Sequence, residues 1–237
     1  MKSLSIIIPV FNEEKVIEEE IHGIAEQLKT AIRPDLVYEI IMVENGSTDR
    51  TPEIIRWCQG QFPEIKMLSL SKAAYGNALR AGMLFSKADY VVVFNIDFWD
   101  VNFLITALDI CETSTYQMII GSKTMKGALD ARPLLRRTIT KIFNALLNLM
   151  FRYNGTDSHG LKLFSRQNFL PILHQCHTRH ELFDTELILR AKIQGLKILE
   201  IPVNCQEKRK STYSIVGRIP RTIRDLLSLF IELRIKA

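Results

Sequence analysis

Cysteine is scarce and scattered: Cys58, Cys111, Cys176 and Cys205 are the only four, and no two are spaced Cys-x-x-Cys. That argues against a disulfide scaffold and favours a reducing compartment. No apolar stretch approaches the roughly 20 uninterrupted residues needed to cross a bilayer, so membrane contact is expected to be peripheral or through a membrane-protein partner. Met1-Lys2 leads straight into a strand-like run rather than a signal segment, and the expected location is cytoplasmic, at most peripheral at the inner face of a membrane. The chain has neither a Gly-rich dinucleotide fingerprint nor a P-loop, which argues against a dehydrogenase or a kinase. It also lacks a DNA- or RNA-binding motif, so nucleic acid is not an expected partner. His174, His177 and His180, with Cys176 among them, invite a zinc reading. Residues spaced by three drift around a helix axis, however, and Pro171 makes the segment turn-like, so these histidines are expected to be loop residues.

What is present suits one globular unit. The 237 residues are 47% hydrophobic and 24% charged, enough for a single large core. The net charge of +5 is modest, but basic residues concentrate at Arg132 to Lys141 and at Lys208 to Arg224. Anionic lipid, a phosphorylated acceptor or nucleotide phosphates each explain such patches.

The hydrophobic pattern alternates between two periods. Leu4 to Pro9 is a β-branched run; from Asn12, a helix cap followed by two glutamates, Ile17, Ile21, Ile24 and Leu28 recur at helical spacing. Val37 to Val43 reads as a second strand, Thr51-Pro52-Glu53 as a helix cap, and Ile65 to Leu70 as a third strand. Ala74 to Ser86 reads as a helix and Tyr90 to Phe94 as a buried strand. This α/β alternation predicts a mostly parallel sheet flanked by helices, with ligands bound beyond the carboxyl ends of the strands. Two amphipathic helices follow. Ile139, Ile142, Phe143, Leu146, Leu147 and Met150 form an apolar stripe with a basic entry at Arg136, Arg137 and Lys141; Ile223, Leu226, Leu227, Phe230 and Leu233 form another, with basic companions. Each stripe either packs on the sheet or inserts into a membrane surface. Residues 1–205 are expected to form the main domain. Residues 206–237 form a basic loop and a helix that belong to it or meet a membrane.

Read in order, Ser5-Ile-Ile-Ile-Pro-Val-Phe-Asn-Glu13, Val43-Glu-Asn-Gly-Ser-Thr-Asp-Arg50, Asn77-Ala-Leu-Arg-Ala-Gly82 and Asn95-Ile-Asp97 resemble glycosyltransferase family 2. Gly121-Ser-Lys123, Arg136 to Asn144, Asp157-Ser-His-Gly-Leu-Lys162 and Phe183-Asp-Thr-Glu186 look like parts of its dolichol-phosphate-mannose-synthase-like branch. The resemblance implies a GT-A fold and an inverting transfer of sugar from a GDP- or UDP-sugar to a polyprenyl phosphate or a glycan, as in cell-envelope polysaccharide synthesis. The sequence departs from the family where Glu44-Asn45 replaces two aspartates, where Asn95 opens the Asp-x-Asp motif, and where Trp99 replaces a further polar ligand. A catalytically impaired relative that binds nucleotide or membrane and serves a partner enzyme is therefore the alternative.

Such a donor needs a slot for base and ribose, a counter-charge for the diphosphate and an open face for the nucleophile. Pro9, Phe11 and Glu13 are expected to line the nucleoside slot, with Glu44, Asp49 and Lys72 beside them; strand exit, cap and turn are the plain structural readings of the same residues. In an extended segment Asn95 and Asp97 point the same way and address one Mg or Mn ion, weakly held. Arg136 and Thr140, one helical turn apart, are expected near Lys123 as a phosphate or acceptor site with Lys162. Arg209 and Ser211 fall in a loop that either closes over phosphates or is plain surface. Asp97, Asp157 and Glu186 are the candidate catalytic carboxylates.

Overall fold

The computed structural model describes residues 2–205 and 215–235. Its centre is a seven-stranded sheet of β1 (Ser3–Val10), β2 (Val37–Glu44), β3 (Ile65–Ser69), β4 (Tyr90–Val93), β5 (Met118–Ser122), β6 (Leu161–Ser165) and β7 (Ile198–Pro202). The spatial order is β3-β2-β1-β4-β6-β5-β7. Every pairing is parallel except those of β6, which runs against both β4 and β5. The mostly parallel α/β architecture expected from the alternating periods is therefore present.

Strand β1 shows why the sheet is covered on both sides. Successive side chains of a strand point to opposite faces. Leu4, Ile6 and Ile8 enter one core with helices α1 (Ile17–Ala31), α2 (Thr51–Gln59) and α4 (Val101–Thr113). Ile7 enters the other, with α3 (Tyr75–Phe85), α5 (Leu134–Phe151), α6 (Arg166–Gln175), α7 (Phe183–Ile193) and α8 (Ile215–Phe230). A continuous isoleucine run suits a strand buried on both faces, each such side chain contributing about 1.5–3 kcal/mol. Helix α3 lies so close to β1 that a Cβ on Gly82 would come within 2.6 Å of Ile7 Cγ2.

Three local expectations are corrected. Asn12 does not cap α1, which starts at Ile17; Asn12 adopts a left-handed φ of 56° and its Oδ1 accepts from Thr48 N at 2.8 Å. Thr51 likewise does not cap its own helix, since its hydroxyl accepts from Glu13 N at 2.8 Å. Both polar groups stitch the loop after β1 to the loop after β2, a long-range pairing that local capping rules cannot anticipate. Pro171 lies inside α6, which carries His174; His177 and His180 lie in the loop beyond it.

The two amphipathic helices each carry two apolar faces. On α5, Leu147 and Phe151 are buried in the second core while Leu134, Leu135, Ile142 and Leu149 are exposed. On α8 and the short π-helical segment Ile231–Ile235, Leu226, Leu229 and Leu233 are buried while Ile223, Leu227 and Ile231 are exposed. Among the described residues no helix is long and apolar enough to cross a membrane.

Candidate active site

A cleft of about 460 Å³ opens beyond the carboxyl ends of β1, β2 and β4. Pro9, Phe11 and Glu13 reach it from the loop after β1, Asn45 from the end of β2, and Asn95 and Asp97 from the loop after β4. Ala73, Ala74 and Tyr75 contribute the start of α3; His159, His180, Glu181, Asp184 and Arg221 form the opposite wall.

The loops that bring these groups together are held by specific bonds. The Glu44 carboxylate is buried and accepts from Ser47 N at 2.5 Å, closing the turn in which Gly46 takes a φ of +75° that other residues rarely adopt. Asp49 accepts from Thr51 N at 3.0 Å and Glu14 N at 3.2 Å. Burial works against the Asp49 charge, but these bonds prevail and hold its carboxyl below the ordinary range. Residues 95 and 97 are not in an extended segment. Asn95 and Phe98 exchange backbone hydrogen bonds at 3.1 and 3.0 Å, making a tight turn with Asp97 near its tip. Both residues still line the cleft, brought there by turn geometry rather than strand alternation. Trp99 turns away onto α1, donating to Glu20 Oε2 at 2.6 Å with its ring against Gly23.

Behind the opposite wall lies a buried polar network. Lys162 pairs with Asp184 at 3.1 Å, and Lys123 with Asp157 at 2.9 Å, all four side chains nearly inaccessible. Burial alone raises a carboxyl pKa, yet the Lys123 ammonium and two backbone N–H donors hold that of Asp157 at about 2. Burial draws the Lys162 ammonium below its usual range, against the pull of Asp184. The Tyr75 hydroxyl sits 3.2 Å from Asp184 Oδ2 and 3.3 Å from Asn95 Oδ1; burial and the neighbouring carboxylate push its pKa well up, so it remains a neutral donor. His159 is neutral at physiological pH because burial lowers its pKa. Its Nε2 lies 3.1 Å from the Glu181 carbonyl, which only accepts, so Nε2 carries the proton and Nδ1 accepts from Ser158 Oγ.

Of the residues singled out from sequence, Pro9, Phe11, Glu13, Asn95 and Asp97 meet at the cleft. Glu44 and Asp49 stand behind it as loop braces, and Lys72 is exposed. Asp157, Lys123 and Lys162 belong to the buried ion pairs. Lys123 Nζ is taken up by Asp157, by the His159 carbonyl at 3.0 Å and by the Phe98 ring face. Thr140 bonds the Arg136 carbonyl of its own helix, and neither residue lines the cleft. Glu186 is also placed elsewhere: it is fully buried, accepts from the backbone of His177 and Thr178, and pairs with Arg190 at 2.8 Å. Arg209 and Ser211 lie outside the described residues.

Tyr75, His159, His180, Glu181, Asp184 and Arg221 were missed. For Asp184 the signal was available. Two residues on a helix stand about 200° apart, so Asp184 and Glu186 face opposite ways, and Arg190 four residues beyond marks Glu186 as the structural partner.

The donor set suits a hard divalent ion. Asp97 offers a carboxylate and Asn95 an amide oxygen in one cleft, the single-carboxylate arrangement that Mg²⁺ completes with phosphate oxygens and water. Among the described residues no three His, Cys, Asp or Glu side chains form a cage that would hold a metal without such a ligand.

Comparison with known proteins bears on the same residues. The family model described as glycosyl transferase family 2 matches residues 5–169. Glycosyltransferase AglD of Haloferax volcanii is 27% identical over 229 residues, covering 95% of this chain but only 35% of AglD, so the chain spans about a third of that relative. The dolichyl-phosphate beta-glucosyltransferase of Homo sapiens is 28% identical over 249 residues, 98% of this chain and 76% of that protein. Glucosyl-3-phosphoglycerate synthase from Mycobacterium tuberculosis, solved with Mn²⁺, UDP and glucosyl-3-phosphoglycerate, superposes with a TM-score of 0.69 at 17% identity, over 98% of this chain and 79% of that one. The last likeness concerns the fold.

Proposed function

We infer the reaction from one premise: the chain belongs to glycosyl transferase family 2. It moves a sugar from a GDP- or UDP-sugar to a polyprenyl phosphate or a glycan, with inversion, at the cytoplasmic face of a membrane. Relatives named as dolichyl-phosphate beta-glucosyltransferases support the lipid phosphate, and a neighbour of like fold solved with UDP and Mn²⁺ supports the donor and the ion. The same names favour an enzyme over a silent relative.

The observation that carries the reading is that a single cleft joins Phe11 and Glu13 to Asn95 and Asp97 on one side and to Asp184 and Arg221 on the other. Phe11 and Pro9 offer apolar surface to the base; Glu13 accepts from base or ribose donors, while Glu44 and Asp49 hold these loops in place. Asp97 and Asn95 would hold Mg²⁺ or Mn²⁺, which when bound neutralises the diphosphate leaving group. The anionic oxygen of a lipid phosphate needs no general base, so the opposite wall has only to orient it. Arg221 supplies a guanidinium for that phosphate. Asp184, held by Lys162 and Tyr75, excludes a misplaced phosphate by like charge, and for a hydroxyl acceptor it takes the proton. Lys123, Arg136, Thr140 and Lys72 act from outside the cleft by field or closure.

The test incubates the purified chain with a panel of UDP- and GDP-sugars, Mn²⁺ or Mg²⁺ and a water-soluble short-chain prenyl phosphate, reading glycolipid and nucleotide release. A glycolipid product that Asp97→Ala abolishes is expected. Full activity in that variant removes the metal role, and no product with any donor or with glycan acceptors overturns the assignment.

A further inference from the structure

The apolar residues left over after the core is built are not scattered. Leu135, Ile142 and Leu149 stand seven residues apart on α5, which places them on one face of the helix, and Ile142 and Leu149 are 63% and 82% exposed. Leu134 is exposed beside the first of them. On α8 and its extension, Ile223, Leu227 and Ile231 recur at spacings of four, all exposed. Exposed leucines and isoleucines are ordinary singly, but aligned stripes on two helices mark a surface made to be covered. The two helices form one connected body: the Phe151 and Phe230 rings meet edge to face at 5.7 Å, and the inner faces of both helices share the second core.

The flanking charge identifies what covers them. From Ala131 to Tyr153 the sequence has no acidic residue, while the exposed Lys141 and Arg152 border the stripe. On the second helix Arg221, Arg224 and Arg234 accompany the stripe; of the two acids there, Asp225 neighbours Arg224 at 3.3 Å and Glu232 is drawn to Arg190. A second copy of this chain would bring cation against cation, whereas an anionic bilayer offers phosphates to the rim and acyl chains to the stripe.

We propose that the exposed faces of α5 and α8 together form a docking surface for an anionic phospholipid bilayer, with both helices lying in the interface plane. Arg221 lines the cleft from the same helix that carries Ile223 and Leu227. Docking therefore sets the cleft mouth at headgroup level, where the phosphate of a membrane-embedded acceptor resides. This delivery step rests on the transferase reading above; vesicle binding does not.

The experiment is co-sedimentation of the full chain with vesicles of phosphatidylcholine alone or mixed with phosphatidylglycerol, beside light scattering of the chain without lipid. Binding to the mixed vesicles is expected to fall about tenfold or more in pure phosphatidylcholine, in Ile142→Glu with Leu149→Glu, and in Leu227→Glu. Ile142→Ser with Leu149→Ser serves if the glutamates disturb folding, which melting curves report. The variants are expected to keep turnover on the water-soluble prenyl phosphate and to lose it on a vesicle-embedded one. A wild-type chain that stays in the supernatant, or variants that bind as well as wild type, overturn the proposal. So does a wild-type dimer that the variants dissociate without any change in vesicle binding, because the stripe would then face a second copy. Vesicle binding with no transfer to any acceptor leaves the docking surface standing and removes the transferase reading instead.

Discussion

The two walls of the cleft use ionisable residues in opposite ways. On the wall built by the loops after β1 and β4, Glu13 and Asp97 line the cavity, and bracing falls to neighbours such as Glu44, Asn12 and Thr51. On the other wall, Asp157, Lys123 and Lys162 are locked in buried pairs, and the cavity is met by His159, two residues from Asp157, and by Asp184, the partner of Lys162. Position in a motif thus does not separate a group that meets the ligand from one that holds it: Asp157 and His159 share one motif, and only His159 lines the cleft.

Four measurements break or sharpen this contrast. The largest effect is expected from Asp97→Ala, with kcat/KM for sugar transfer down about 10²–10³-fold and the melting temperature nearly unchanged, since one preorganised electrostatic group is worth about that much. Asp157→Asn should invert the pattern. Leaving Lys123 buried without its partner costs about 3–5 kcal/mol, seen as a lower denaturation midpoint before any kinetic change. An equal loss of stability in the two variants would erase the distinction between the walls.

The Asp157 pair also has a pH signature. The folded carboxyl titrates at about 2, below its ordinary 3.8, so the stabilisation is complete above the unfolded pKa and drains away as pH falls through that window. The two values differ by about two units, or about 2–3 kcal/mol. Denaturant unfolding of wild type and Asp157→Asn between pH 5 and 2 should converge by about that amount. The smallest effect is expected from Phe11→Ala: donor KM up about tenfold with kcat little changed, the mark of binding shared by ground and transition states. A fall in kcat instead would place Phe11 among the groups that act on the reacting centre.

The first wall was legible because its information is local. The continuous isoleucine run in β1 marks a strand buried on two faces, and its exit carries Pro9, Phe11 and Glu13 to the sheet edge. Asn95 and Asp97 reached the cleft even though the turn between Asn95 and Phe98 replaced the extended segment expected there. The second wall depends on pairings across the chain, such as Lys162 with Asp184 and Tyr153 with Glu200, 47 positions apart. No periodicity encodes these. The amphipathic stripes of α5 and α8 were visible as patterns, but whether they pack or stay open was decided by which face met the second core.

The reversal of β6 has a consequence for engineering. Because this strand runs against β4, it delivers its beginning rather than its end toward the cleft, and His159 arrives there ahead of Leu161. A mutant library restricted to segments that follow strands would sample the wall formed by the loops after β1 and β4 thoroughly and leave residues 152–160 untouched. Diversifying that stretch alone, with Asp157 retained for its ion pair and Gly155 and Gly160 retained because a Cβ there would meet Tyr153 and Gly121, tests the proposed division of labour: acceptor choice should change while donor recognition stays as it is.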